Sequence, residues 1–166
     1  MFLVDTNVIS LAAHRHRDDD VLAVLAVLAV LAVLAVLAVL AVLDWLDRNG
    51  SQLYLSVMTI AEIEFGVLKL ARQGKGERAA AIQAFLKDTL DFYGNRVLPV
   101  DVQAALHVAD LRNRSYQQPV ELADIIIAAT AIRHGLIILT HNIKHFAPLG
   151  VKAHDPFDTL PKDEVR

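Results

Sequence analysis

The stretch "FLVDTNVIS" (residues 2–10) decides how this chain is read. Phe2, Leu3 and Val4 are a short apolar run that ends in a carboxylate, Asp5. Such a run reads as a buried parallel strand, Phe2 to Asp5, with the acid at its C-terminal end. "TNVISLAAH" then reads as a helix. A strand running directly into a helix is half of a β–α unit, so the rest of the chain should alternate.

It does. "SQLYLS" (51–56) reads as a strand and "TIAEIEFGVLKLARQ" (59–73) as a helix, with Thr59 and Glu62 at capping-box spacing. "GKG" (74–76) is a turn. "ERAAAIQAFLKDTLDFYGN" (77–95) is an amphipathic helix closed by Gly94. "RVLPVD" (96–101) is a short strand, and Asp101 caps the helix that follows it. "VELADIIIAATAIRHG" (120–135) is a helix stopped by Gly135. "LIILT" (136–140) is the clearest strand, "HNIKHF" (141–146) one helical turn, and "GVKAHD" (150–155) a last strand. This alternation predicts a parallel sheet with helices on both faces, in one domain over 1–166. Sites in such sheets lie beyond the C-terminal strand ends, where Asp5 and Thr140 fall.

One segment breaks the pattern. From Val21 to Leu43 there is only Val, Leu and Ala in a strict three-residue repeat. Asp20 is placed as its N-cap, and the helix should run through Trp45 to Arg48, with Asn49 and Gly50 as the stop. A three-residue step advances ~300° around a helix, so leucine visits every side and no polar face results. The tract is long enough to span a bilayer. However, Asp5 lies before it, and Glu62 and Asp124 lie after it. A single crossing would part these acids and tear the first strand from its sheet, so membrane spanning and a shared site exclude each other.

Composition sets further bounds. Of 166 residues, 55% are hydrophobic, and the tract accounts for the excess. The net charge of −3 gives no footprint for strong non-specific nucleic-acid binding. There are no cysteines, hence no disulfides and no thiolate metal site, which suits the cytoplasm. The N-terminus has an Asp inside its apolar run and no basic region before it, a poor secretory signal. The seven histidines show no zinc-ligand spacing.

The chemistry rests on three carboxylates. Asp5 ends the first strand, Glu62 stands in the first turn of its helix, and Asp124 stands near the start of the helix that feeds the strongest strand. Together they would form an acidic cluster that cannot ionise fully without a cation, and all-oxygen ligands suit Mg2+ or Mn2+. Each also has a plain structural reading: Asp5 and Glu62 as helix caps, Asp124 as a complement to a helix dipole. Glu121 shares a helix face with Asp124 and is a reserve ligand. A phosphatase that opens on a strand-end Asp would need a second Asp two residues on, where this chain has Asn7.

"FLVDTNVIS", "LYLSVMTIAEIEFGV", "RVLPVD", "ADIIIAATAIRHGLIILTHNIKHF" and "GVKAHDPF" resemble, in order, the motifs of PIN-domain ribonucleases. More narrowly, they resemble VapC-type toxins of type II toxin–antitoxin modules. The resemblance implies a three-layer α/β/α fold and a Mg2+-dependent endoribonuclease toxin, with Mn2+ able to substitute. It also implies a cognate antitoxin that inhibits the enzyme, and a homodimer. The family's three acids fall on Asp5, Glu62 and Asp124, and its supporting Asn on Asn7. Its fourth acid, which members place at either of two positions, falls on Asn142 or His145, so no acid stands there. Asn142 is kept as a catalytic candidate that can orient water but adds no charge. Relative to the family the chain is longer by about seven VLA units, which extend the second helix. Two other classes fit the same residues: a PIN-fold binding module without activity, and a membrane-associated protein whose fold the tract has broken.

Overall fold

Phe2, Leu3 and Val4 pair on both sides and are buried, forming the central strand β1 (Phe2–Val4). The computed structural model describes residues 1–9 and 26–161, apart from the side chains of 26–34. The placements of His14, His16, Asp20 and the start of the tract at Val21 lie outside the described residues. After β1 come α1 (Thr6–Ile9), α2 (Ala26–Arg48), β2 (Leu53–Ser56), α3 (Val57–Arg72) and α4 (Gly76–Tyr93). β3 (Val97–Leu98), α5 (Val102–Arg114), α6 (Leu122–His134), β4 (Ile137–Leu139), α7 (Ile143–Phe146) and β5 (Ala153–His154) complete the order.

The five strands form one parallel sheet in the order β3-β2-β1-β4-β5. Alternate side chains leave opposite faces, so each strand feeds two cores. Phe2, Val4, Leu53, Leu55 and Leu139 join Val42, Trp45, Leu46 and Leu86 on one face. Leu3 and Ile138 join Leu111, Ile125, Ala128 and Phe146 on the other. The fold is the three-layer α/β/α arrangement expected. The chain moves outward from β1 through β2 to β3, then returns to place β4 on β1's other side. That reversal makes the C-terminal ends of β1 and β4 the switch point, where doubly wound sheets bind their ligands.

Several boundaries differ from the sequence reading. β1 ends at Val4, leaving Asp5 just past it, and residues 50–52 are a 3-10 turn before β2. The capping box is absent. The cap of α3 is Ser56, whose hydroxyl accepts from the Met58 amide at 3.1 Å. The helix therefore starts earlier, and Glu62 falls in its second turn, free of capping. Asp101 does cap α5, accepting from the Ala104 amide at 2.8 Å.

Thr59, displaced from its expected role, is fully buried, and its hydroxyl has no hydrogen-bond partner. A buried unpaired hydroxyl costs roughly 1–3 kcal/mol. Thr59→Val, of the same shape, is therefore expected to raise stability by about 1 kcal/mol in denaturant unfolding. A loss of stability would mean that the hydroxyl has a partner in solution.

The tract meets the core at a sharp line. Val36, Leu37 and Leu40 are 56%, 55% and 51% exposed, whereas Val42 is 1% exposed. Trp45, one turn on, packs edge-to-face against Phe2 with ring centroids 5.3 Å apart. Among the residues described in full, no helix is long and apolar enough to cross a membrane.

Candidate active site

Asp5 is the best-anchored of the three acids. Its amide donates to the Leu139 carbonyl at 2.9 Å, carrying the β1–β4 pairing one residue past the strand. Its carbonyl accepts from the amides of Val8 and Ile9, which starts α1. The carboxylate faces the crevice at the switch point and is buried. Oδ1 accepts from the Thr6 amide at 2.7 Å. Oδ2 accepts from the Thr140 hydroxyl at 2.8 Å and the Asn7 side-chain amide at 2.7 Å.

Thr140 and Asn7 tie the two central strands together at this point. The Thr140 hydroxyl accepts from the Asn7 side chain at 3.0 Å and from the Asn142 amide at 3.0 Å. The Asn7 carbonyl oxygen accepts from the His141 amide at 3.2 Å. Capping and site roles are thus not alternatives for Asp5: one residue starts α1 and presents its carboxylate.

Glu62 approaches from α3, and its Oε2 accepts a short hydrogen bond from the Thr6 hydroxyl. Asp124 approaches from the first turn of α6. His145, on α7, places Nδ1 3.3 Å from Asp124 Oδ2. Sequence reading noted His145 only as a missing acid, and gave Thr6 no role. Asn142 caps α7 through its position, makes no side-chain bond to that helix, and is half-buried.

The electrostatics bind the three acids into one unit. Burial pushes the Asp5 carboxyl above the ordinary range; hydrogen bonds from Thr140 and Thr6 oppose this, and the Asp124 charge adds to it. Burial likewise raises Glu62, against the Thr6 bond, with Asp5 and Glu121 adding to the rise. Asp124 is raised by burial and by the charges of Glu121 and Glu62, while His145 pulls it back. Each acid therefore destabilises the ionised form of another. Glu121, the reserve candidate, acts on two of them.

These residues fit a divalent cation by donor chemistry: hard oxygens carrying unrelieved mutual repulsion. Among the described residues, no three acidic or histidine side chains surround a single point. Mg2+ does not require that, since it is usually held by one or two carboxylates with waters and substrate phosphates completing the shell. An apolar cavity of about 200 Å³, lined by Ile9, Leu43, Leu46, Phe85, Phe92 and Tyr93 among others, shares no residue with the acids. Of the basic residues that could meet an RNA, Arg72 lies over the Phe65 ring and Arg114 pairs with Asp110.

The PIN domain profile matches residues 38–149, starting within the tract and thus after Asp5. The VapC ribonuclease Y4jK of Sinorhizobium fredii is 35% identical over 162 residues, covering 95% of this chain and 99% of that protein. The Toxin FitB of Neisseria gonorrhoeae is 28% identical, again over 95% of this chain and 99% of that protein. The crystal structure of FitAcB from Neisseria gonorrhoeae superposes with a TM-score of 0.69 at 28% identity, covering 95% and 99% of the two chains.

Proposed function

This chain belongs to the PIN-domain family, as a toxin of the VapC type, and from that premise we propose that it is a Mg2+-dependent endoribonuclease restrained by a cognate antitoxin. The observation that carries this reading is the triad of mutually coupled carboxylates at the switch point. Asp5, Glu62 and Asp124 would hold the cation, with Mn2+ able to replace Mg2+. When bound, the ion supplies a more acidic water and offsets the charge that builds on the phosphate.

The chain's own side chains do the positioning. Thr140, Asn7 and the Thr6 amide fix the Asp5 carboxylate, and the Thr6 hydroxyl fixes Glu62. Asn142 orients the attacking water and adds no charge. A homodimer completes the proposal, as in the family the chain resembles.

Purified protein is expected to cut RNA when Mg2+ or Mn2+ is present and to stop when EDTA removes the ion. No cutting with either ion would overturn the reading. His145 and Asn142, where the family has its acid, would then mark an inactive binding module.

A further inference from the structure

A second polar pair stands at the same edge of the sheet, outside the carboxylate set. His141 follows β4 and Asp155 follows β5, and the two strands are paired in parallel with Leu139 beside His154. The residues after them therefore emerge close together. His141 Nδ1 lies 2.8 Å from Asp155 Oδ2. Asp155 is 9% exposed, and its other oxygen accepts from the Phe157 amide at 2.9 Å. The imidazole meets the Phe157 ring edge-on, with centroids 5.0 Å apart. The His141 amide donates to Asn7, whose own side chain donates to Asp5.

The ring is thus held on several sides, yet the side chain is 64% exposed. Fixing an exposed side chain costs rotamer entropy. A solvated histidine has no use for that, whereas a group that must meet a ligand in one orientation does. The chemistry of the exposed atom follows from its partner. A carboxylate only accepts, so Nδ1 carries the hydrogen, and in the neutral ring Nε2 presents a lone pair outward. An RNA strand lying along the carboxylates offers two kinds of backbone group here. Phosphate oxygens only accept, so they give nothing to a lone pair. The ribose 2′-hydroxyl donates, and DNA lacks it.

We propose that His141, positioned by Asp155, accepts a hydrogen bond from a ribose 2′-hydroxyl beside the cleaved bond and so selects RNA over DNA. This rests on the nuclease reading above. The test is fluorescence anisotropy with the full chain and Ca2+, using labelled single strands of one mixed sequence as RNA, DNA and 2′-fluoro RNA. The last keeps the RNA sugar pucker but has no hydroxyl hydrogen.

Wild type should bind RNA about tenfold more tightly than 2′-fluoro RNA or DNA, the worth of one hydrogen bond. His141→Ala should lose about that factor for RNA only, bringing the three ligands level. Asp155→Asn, which can donate to Nδ1 and turn the ring's lone pair inward, should lose the preference without losing the ring. Equal weakening for all three ligands in His141→Ala would reduce the pair to scaffolding and overturn the proposal. So would an unchanged ratio. If wild type still cuts RNA in that case, the nuclease reading stands and only the role of His141 falls. If wild type neither cuts nor binds RNA, both fall.

Discussion

Asp5→Asn is expected to lower metal-dependent RNA cleavage by at least about 100-fold, because even partners of metal ligands are worth roughly 10–100-fold. The same change should alter stability in a way that a merely structural acid would not. Burial holds the folded pKa of Asp5 above its unfolded value. The favourable contribution of this group is therefore complete below the unfolded pKa and is lost as pH rises through the folded one. At neutral pH the metal-free fold carries the full penalty of the buried charge. Glu62 and Asp124 shift in the same direction and add to it. Metal-free wild type should lose melting temperature as pH rises from about 4 toward neutrality, whereas Asp5→Asn should show a shallower slope. At pH 7, Mg2+ should raise the melting temperature of wild type well above that of the variant. Cleavage retained within tenfold, or equal stabilisation of both proteins by Mg2+, would remove Asp5 from the metal site.

Deleting residues 21–41, seven VLA units, is expected to leave fold and cleavage intact and to abolish self-association. The cut joins Asp20 to Val42, and Val42 is where α2 enters the core. The residues just before it, Val36, Leu37 and Leu40, stand in solvent. Removing 21 residues takes out just under six helical turns, a net rotation of only ~60°. Val42, Trp45 and Leu46 therefore keep their places against β1. The intact chain exposes a continuous apolar helix surface, a contact that monomers rarely tolerate beyond a few hundred Å². Size-exclusion chromatography with light scattering should show the intact chain as oligomer or aggregate and the shortened one at a small, defined mass. A monodisperse intact monomer at high concentration would remove the expected stickiness. An unfolded deletion variant would show that the tract packs against the domain.

The alternation of strand and helix was legible because short apolar runs and their stop signals are local. Gly94 and Gly135 both end their helices as read, in positive-φ conformations that favour glycine. Asp5, Glu62 and Asp124 could be picked out because each sits next to an element boundary. Local pattern also misled. Thr59 and Glu62 have capping-box spacing, but Ser56 starts the helix, and only β2's end point in the sheet decides between them. The contacts that hold the site were not legible. Thr140 donates to Asp5 across 135 residues, and Thr6 to Glu62 across 56. Those contacts follow from β1 lying between β2 and β4, an order that no single stretch of sequence encodes. His145 looked like a lost acid, and only the placement of α7 turns its ring toward Asp124.

That strand order also sets when the protein can become toxic during its own synthesis. β1 is made first and β4 almost last, yet they are neighbours, with Phe2 beside Ile137. A ribosome delivers the chain N-terminus first, and contacts so distant in sequence close slowly. Asp5 therefore waits through most of translation without Thr140, Asp124 or the end of β4 beside it. Activity arises in one step near completion of the chain, and a prematurely terminated product is harmless to the cell that made it.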